Sequence, residues 1–401
     1  MLILIYLTLF VLVPYFILLF FYKIWWDDIF PYGAPTKSFR IILEEKGGRI
    51  VEEELPVPDT RITVIIPARN EEKNIAICLQ SLAAQTYSAE LLQIIVVNDH
   101  STDNTAQTVQ NFPAANITLI NLSDHITGPI NSYKKKAIEV AIEQATGDLI
   151  VTTDADCTAP PGWIENMGFA YSRYNPAFIA GPVRLVPPSG RKRKSLLFIF
   201  QALDFMALQG VTGASVHKRF HSMCNGANLA YKKRAFYEVN GFNGIDAIAS
   251  GDDMLLMHKI FRKYPDRIMY LKNPNAIVDT QAAGTWKEFL HQRIRWASKA
   301  DKYEDKRIGI VLSLVYALNA LLLLLFLGCI VYPEWLYNAL IILGTKIMWE
   351  MMFMYPIARF FGMQRLMIWF PLMQPLHILY TVIAGFFGKF GRYSWKGRKV
   401  K

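Results

Sequence analysis

The chain has 401 residues, 52% of them hydrophobic, with a formal net charge of +10. That apolar excess argues against a purely soluble protein and for membrane segments. The basic residues concentrate in "RKRK" (191–194) and "GRYSWKGRKVK" at the C-terminus, each abutting an apolar stretch, which points to an anionic membrane surface and away from nucleic acid.

Residues 2–22 are uncharged and long enough to cross a bilayer. They lack the basic start and small-residue cleavage site of a signal peptide and close with the aromatic, basic edge "YKIWW". The expectation is an uncleaved anchor over 1–24 and a linker over 25–58. From Arg61, strand-like runs "RITVIIP", "LLQIIVVND", "ANITLINL" and "DLIVTTDAD" alternate with the helical patterns "EKNIAICLQSLAAQ", "DNTAQTVQNF" and "YKKKAIEVAIEQATG". Short apolar runs in this order predict an α/β fold with a parallel sheet buried on both faces. Ligands of such sheets bind beyond the carboxyl ends of the strands, where "PARNEE", "NDHS" and "DADC" all fall. Asp154 and Asp156 end one strand with a single alanine between them. Carboxylates that close repel unless a cation lies between, and a divalent metal with hard oxygen ligands is the candidate. An Asx-type turn is the structural alternative.

Residues 195–214 are apolar enough to span, but they separate "DADC" from the later acidic "SGDDM", and both halves of one site must face one compartment. Gln201, Asp204 and Gln209 also interrupt them, so a helix lying on the membrane surface is expected. Spans are expected at 308–332, 336–358 and 366–388, the last broken by Pro371 and Pro375. Lys346 and Glu350 lie four apart, on one helical face, and are expected to pair inside the bilayer. Three full spans after an N-terminal anchor would put the basic tail outside, against the positive-inside rule. One of the last two segments is therefore expected to be re-entrant or interfacial. Cys78, Cys157, Cys224 and Cys329 stand at no metal-ligand spacing and argue for no disulfide, as in a reducing cytosolic domain.

The ordered series "VIIPARNEE", "VVNDHSTDNT", "TTDADC", "SGDDM" and "QRIRW" resembles the membrane-bound, family-2 inverting glycosyltransferases with the GT-A fold, across roughly residues 60–300. The QxxRW element is similar to that of cellulose, chitin and hyaluronan synthases and of ceramide glucosyltransferases. The resemblance implies a GT-A domain over 59–305, membrane helices over 306–390 and a basic tail over 391–401. It implies Mg²⁺ or Mn²⁺ at Asp156, with Asp154 supporting the metal or holding the ribose. Pro67, Arg69 and Glu71 would line the nucleoside and Asp99 would bond the base, with His100 a loop residue. One of Lys134, Lys135 and Lys136 would reach the diphosphate, Lys136 being assigned to the donor, although a solvated helix face suits any one of them. Asp253 would take the acceptor proton. Asp252 stands where the family has glutamate, and an N-cap before "MLLMHKI" is the structural alternative. Asn225 and Asn228 would bond acceptor hydroxyls, the bland reading being a tight turn at Gly226. Arg293 and Arg295 cannot share a helix face. Arg295 is assigned to the diphosphate, and Trp296 to stacking a sugar of donor or acceptor.

The implied reaction is metal-dependent, inverting transfer from a nucleotide-sugar donor, uridine being favoured by resemblance, to a lipid-linked or glycan acceptor at the bilayer. One anchor and three further segments are too few to enclose a hydrated glycan in a monomer, which favours single addition over an oligomeric processive synthase. Intact carboxylates argue against a catalytically silent membrane scaffold. A late base beside QxxRW argues against a nucleotidyltransferase. The expected location is the membrane, with the catalytic domain cytoplasmic, at the inner membrane in a bacterium.

Overall fold

The computed structural model describes residues 1–31, 59–128, 130–188, 195–221, 223–248, 251–298 and 305–390, and the backbone alone of 41–44, 50–53, 393–395 and 398–400. The "RKRK" run and most of the expected linker lie outside the described residues.

Helix α1 (Leu2–Asp27) leads to an α/β domain. Its first strands are β1 (Ile62–Ala68), β2 (Leu92–Asn98), β3 (Ile117–Asn121) and β4 (Leu149–Thr152). All four are parallel, in the order β3-β2-β1-β4, as the alternating pattern predicts. Alternate residues face opposite sides. Ile65, Ile95 and Val97 pack towards helix α4 (Tyr133–Gln144). Val64, Ile94 and Val96 pack towards α2 (Ile75–Ala83) and α5 (Trp163–Tyr174). Burying such a side chain contributes roughly 1.5–3 kcal/mol, so both faces hold the sheet in register.

The full sheet has seven strands and is mixed. Strands β5 (Phe178–Ala180), β7 (Leu229–Lys232) and β8 (Ile268–Tyr270) extend it beyond β4, and β7 runs antiparallel to both of its neighbours. The purely parallel sheet expected from the alternating pattern is thus corrected. A second layer joins Cys157–Thr158, β9 (Val278–Gln281) and β6 (Val183–Val186).

Helix α6 (Leu196–His217) overturns the surface-helix expectation, because protein encloses most of it. One side meets β6 and β8, the other α1 and α10 (Leu336–Phe360). The polar residues that interrupt its apolar run have partners in the α/β domain. Gln201 trades two hydrogen bonds with the Ala283 backbone, at 3.0 and 2.9 Å. Gln209 accepts from the Val183 N–H at 2.9 Å. Asp204 pairs with Arg293 at 2.7 Å.

Among the described residues, five helices are long and apolar enough to cross a membrane: α1, α6, α9 (Lys306–Val331), Pro333–Phe360 (which contains α10) and Gln364–Phe390 (which contains α11, Phe370–Phe390). Lys346 and Glu350 pair at 2.7 Å. Lys346 also donates to Gln374 of α11 at 2.7 Å, and Tyr15 of α1 donates to Glu350. The segment between α10 and α11, and the last turn of α11, meet the α/β domain. Before it, the Phe361 carbonyl accepts from Arg184 at 3.4 Å, and Met363 and Leu366 pack on the domain's core. Near its close, Gly388 lies against Ala297 and Ser298.

Candidate active site

The sheet sets Arg69, Asp99 and Asp154 just past the ends of adjacent strands, since Ala68 pairs with Asn98 and Ile65 with Thr152. Asn70 and His100 adopt left-handed φ of 53°, an uncommon backbone for non-glycine residues. Side chains tie these turns together. Asn70 accepts from the Thr102 N–H at 2.8 Å, and Arg69 donates to the Asp99 carbonyl at 3.1 Å. Glu71 is held by its backbone N–H to Thr105 and by Asn74, both at 2.8 Å. Pro67, Arg69, Glu71 and Asp99 line one end of a cavity of about 1080 Å³.

Asp154 and Asp156 line the same cavity. With the thiol of Cys157 they place ligand atoms within 4.8 Å of one another. Two carboxylates of this kind fit Mg²⁺ or Mn²⁺ by donor chemistry. Lys134 donates to Asp154 at 2.7 Å and lies 3.1 Å from Asp252. Burial opposes its charge, but Asp154, Asp252 and Asp253 together raise its pKa well above the ordinary lysine value. Lys134 is thus the lysine at the site, which corrects the choice of Lys136. Lys136 turns to Glu139 at 3.6 Å, and Lys135 is buried on the carbonyls of Ile245 and Ile248.

Asp253 caps α7 (Met254–Lys263), accepting from the Met254 N–H at 2.7 Å, and also accepts from the Gly226 N–H at 3.2 Å. Capping and a place in the cavity coexist. The loop at Gly226 passes close to the charged groups: a Cβ there would lie 3.3 Å from the Lys134 Nζ and 3.5 Å from Asp252. Asn225 lines the cavity and accepts from the Ala227 N–H at 3.0 Å. Asn228 does not belong with it. Its amide donates to the carbonyls of Pro182 and Ala276 at 2.8 Å and accepts from Trp163 at 2.9 Å, and it is fully buried. The acceptor role expected of Asn228 is corrected to a structural one.

Helix α8 (Trp286–Ala297) opens with a capping box between Thr285 and Glu288. Arg293 turns inward to Asp204 and lies over the ring of Trp296 at 4.2 Å. Tyr380 of α11 donates to the other Asp204 oxygen. Arg295 and Trp296 line the cavity with Asp252 and Asp253. The link from Tyr380 through Asp204 to Arg293 was invisible to sequence reading, because its members lie on three helices far apart in the chain. The only signal was an aspartate in an apolar helix.

Residues 63–239 match the family model "Glycosyl transferase family 2". The chain is 27% identical over 252 residues to an N-acetylglucosaminyltransferase of Sinorhizobium fredii, covering 59% of this chain and 56% of that one. It is 27% identical over 291 residues to a poly-beta-1,6-N-acetyl-D-glucosamine synthase of Staphylococcus aureus, covering 69% and 62%. The chain thus spans little more than half the length of these curated relatives. Among solved structures, the mannosyltransferase PcManGT of Pyrobaculum calidifontis, in complex with GDP-Man and Mn²⁺, matches with a TM-score of 0.52 at 20% identity, over 93% of this chain and 99% of that one. This chain therefore carries a family 2 glycosyltransferase domain, on the GT-A fold that its motifs lead one to expect.

Proposed function

We propose that the chain transfers a sugar, with inversion, from a nucleotide-sugar donor to an acceptor presented at the membrane. The observation that carries this reading is one cavity that gathers the carboxylates of two distant motifs, Asp154 and Asp156 with Asp252 and Asp253, and runs on into the helix bundle. Pro67, Arg69, Glu71 and Asp99 hold the nucleoside, and Arg295 faces the diphosphate. Asp156, supported by Asp154, would hold Mg²⁺ or Mn²⁺, which would supply positive charge against the leaving diphosphate. Asp253 takes the acceptor hydroxyl's proton as its oxygen bonds to the anomeric carbon and the carbon–diphosphate bond breaks, the electron pair leaving with the diphosphate. Asp252 holds Lys134 beside Asp154. Trp296 offers a face for a sugar.

Both relatives are named for N-acetylglucosamine, and with the uridine that the motif resemblance favours, this makes UDP-N-acetylglucosamine the first donor to try. Detergent-purified protein with Mn²⁺ is expected to release nucleoside diphosphate from one member of a sugar-nucleotide panel, and chelation is expected to stop it. Full release in excess chelator removes the metal from the reading, and release from no donor removes the reading.

The 69% coverage by the poly-N-acetylglucosamine synthase match favours a second reading, polymerisation by an oligomer. A ladder of long water-soluble products would establish it, and a single added sugar would exclude it. We also read α11 as interfacial, since the segment that leads into it from α10 and its own last turn both meet the catalytic domain. Three crossings then leave the basic tail on the catalytic side, in keeping with the positive-inside rule. A tag at Lys401 is expected to be reached from that side, the cytoplasm. Access from the opposite side defeats this topology.

A further inference from the structure

We propose that the membrane half of the cavity is a binding chamber for an uncharged amphiphile bearing a free hydroxyl. Its chain lies among α1, α9, α10 and α11, and its hydroxyl points towards Asp252 and Asp253. This deepens the acceptor of the reading above and rests on that reading for the ligand's fate alone. Two observations carry it.

The cavity that holds Asp154 and Asp253 is lined further on by Leu19 of α1, Leu312 of α9, Met354 of α10 and Met373 of α11. Walls of this kind suit a hydrocarbon chain and offer little to a hydrated glycan. Next, the charges deep in the bundle are closed on themselves. Arg293 pairs with Asp204 and Lys346 with Glu350, both at 2.7 Å. Among the described residues, the other lysines and arginines on the wall, Arg69, Lys134, Arg295 and Lys389, stand towards its catalytic-domain end. A phosphate drawn into the chamber would lose its hydration beside Asp204 and Glu350 with no counter-charge left over.

The test measures binding of 1,2-dioctanoylglycerol to the detergent-purified full chain by native mass spectrometry, with farnesyl phosphate and a soluble oligosaccharide as comparison probes. Gly309 lines the cavity, and a Cβ there meets nothing within 4 Å. Gly309→Phe therefore puts its ring into the chamber with little cost to the fold, which the thermal midpoint checks. The expected result is one saturable dioctanoylglycerol, held at least about tenfold more weakly by Gly309→Phe. Tighter binding of farnesyl phosphate or of the oligosaccharide overturns the proposal, as does unchanged binding by Gly309→Phe. Nucleoside diphosphate release onto a soluble sugar with no lipid adduct would sink the chamber and leave the transferase standing. A saturable lipid adduct blocked by Gly309→Phe, in protein that binds no sugar nucleotide, would do the reverse.

Discussion

Asn228 and Asn225 are three residues apart, yet their surroundings divide them. The Asn228 amide is spent on two carbonyls and the Trp163 indole. Asn228→Ala leaves that buried N–H and both carbonyls short of a partner, at about 1–3 kcal/mol for each group left unsatisfied. A fall of several degrees in thermal midpoint is expected, with acceptor KM unchanged in the folded fraction. A raised acceptor KM at an unchanged midpoint would return Asn228 to the acceptor site. Asp253 presents the opposite case, a capping residue that also faces the cavity. Asp253→Asn keeps the size and an acceptor for the Met254 N–H but removes the base. Turnover is expected to fall by roughly two or more orders of magnitude with donor binding retained, read by steady-state kinetics beside donor titration. A larger loss in Asp252→Asn would reassign the base to Asp252.

At the scale of elements, α6 joins the catalytic sheet to the bundle by presenting a different chemistry to each side. Its amides and Asp204 face the α/β domain, while its glycines let the other helices approach. A Cβ at Gly210 would stand 2.1 Å from the Ile357 Cδ1 of α10, and one at Gly213 would stand 2.7 Å from the Trp26 ring of α1. Gly210→Leu must push α6 and α10 apart, and overpacking of this kind costs about 1–3 kcal/mol or more. Gly344, on α10 itself, has open space at its Cβ position. Gly344→Leu is the control expected to keep the wild-type midpoint in detergent. Equal midpoints for the two variants would show that α6 and α10 do not depend on this close approach. Helix α8 also divides its faces, with Arg293 turned to Asp204 and Arg295 to the cavity.

At the scale of the whole molecule, bundle and domain share one apolar core, which runs from Leu12 and Tyr22 of α1 through Phe200 to Ile65 and Ile95 of the sheet. His221 sits in this joint, its Nε2 2.9 Å from both the Tyr22 hydroxyl and the Ser215 hydroxyl. Burial lowers its pKa to about 4, against a smaller upward pull from Asp305 and with Arg307 pushing down. The unfolded chain, with an ordinary histidine near 6.5, takes up the proton first as pH falls. His221 therefore contributes stability above about pH 6.5 that is lost progressively towards pH 4, on the order of 3 kcal/mol in all. The wild-type thermal midpoint is expected to drop between about pH 7 and pH 5 by more than that of His221→Gln. Equal drops would mean that His221 is protonated in the folded protein.

The sequence by itself determined the local and the periodic. Apolar runs in alternation with helical patterns dictate parallel strands, and parallel strands deliver their following loops to one edge, so Arg69, Asp99 and Asp154 were legible as neighbours. The Lys346–Glu350 pair was legible because four residues bring side chains to one helix face. Only the tertiary structure decided which of three consecutive lysines reaches Asp154, since the choice depends on how α4 is rotated against the sheet. It also decided that Asn228 is spent, that β7 runs antiparallel, that α6 is enclosed and that Tyr380, Asp204 and Arg293 meet. Each of these rests on contacts between segments far apart in the chain. Such contacts are set by the packing of whole elements, and neither residue type nor spacing encodes them.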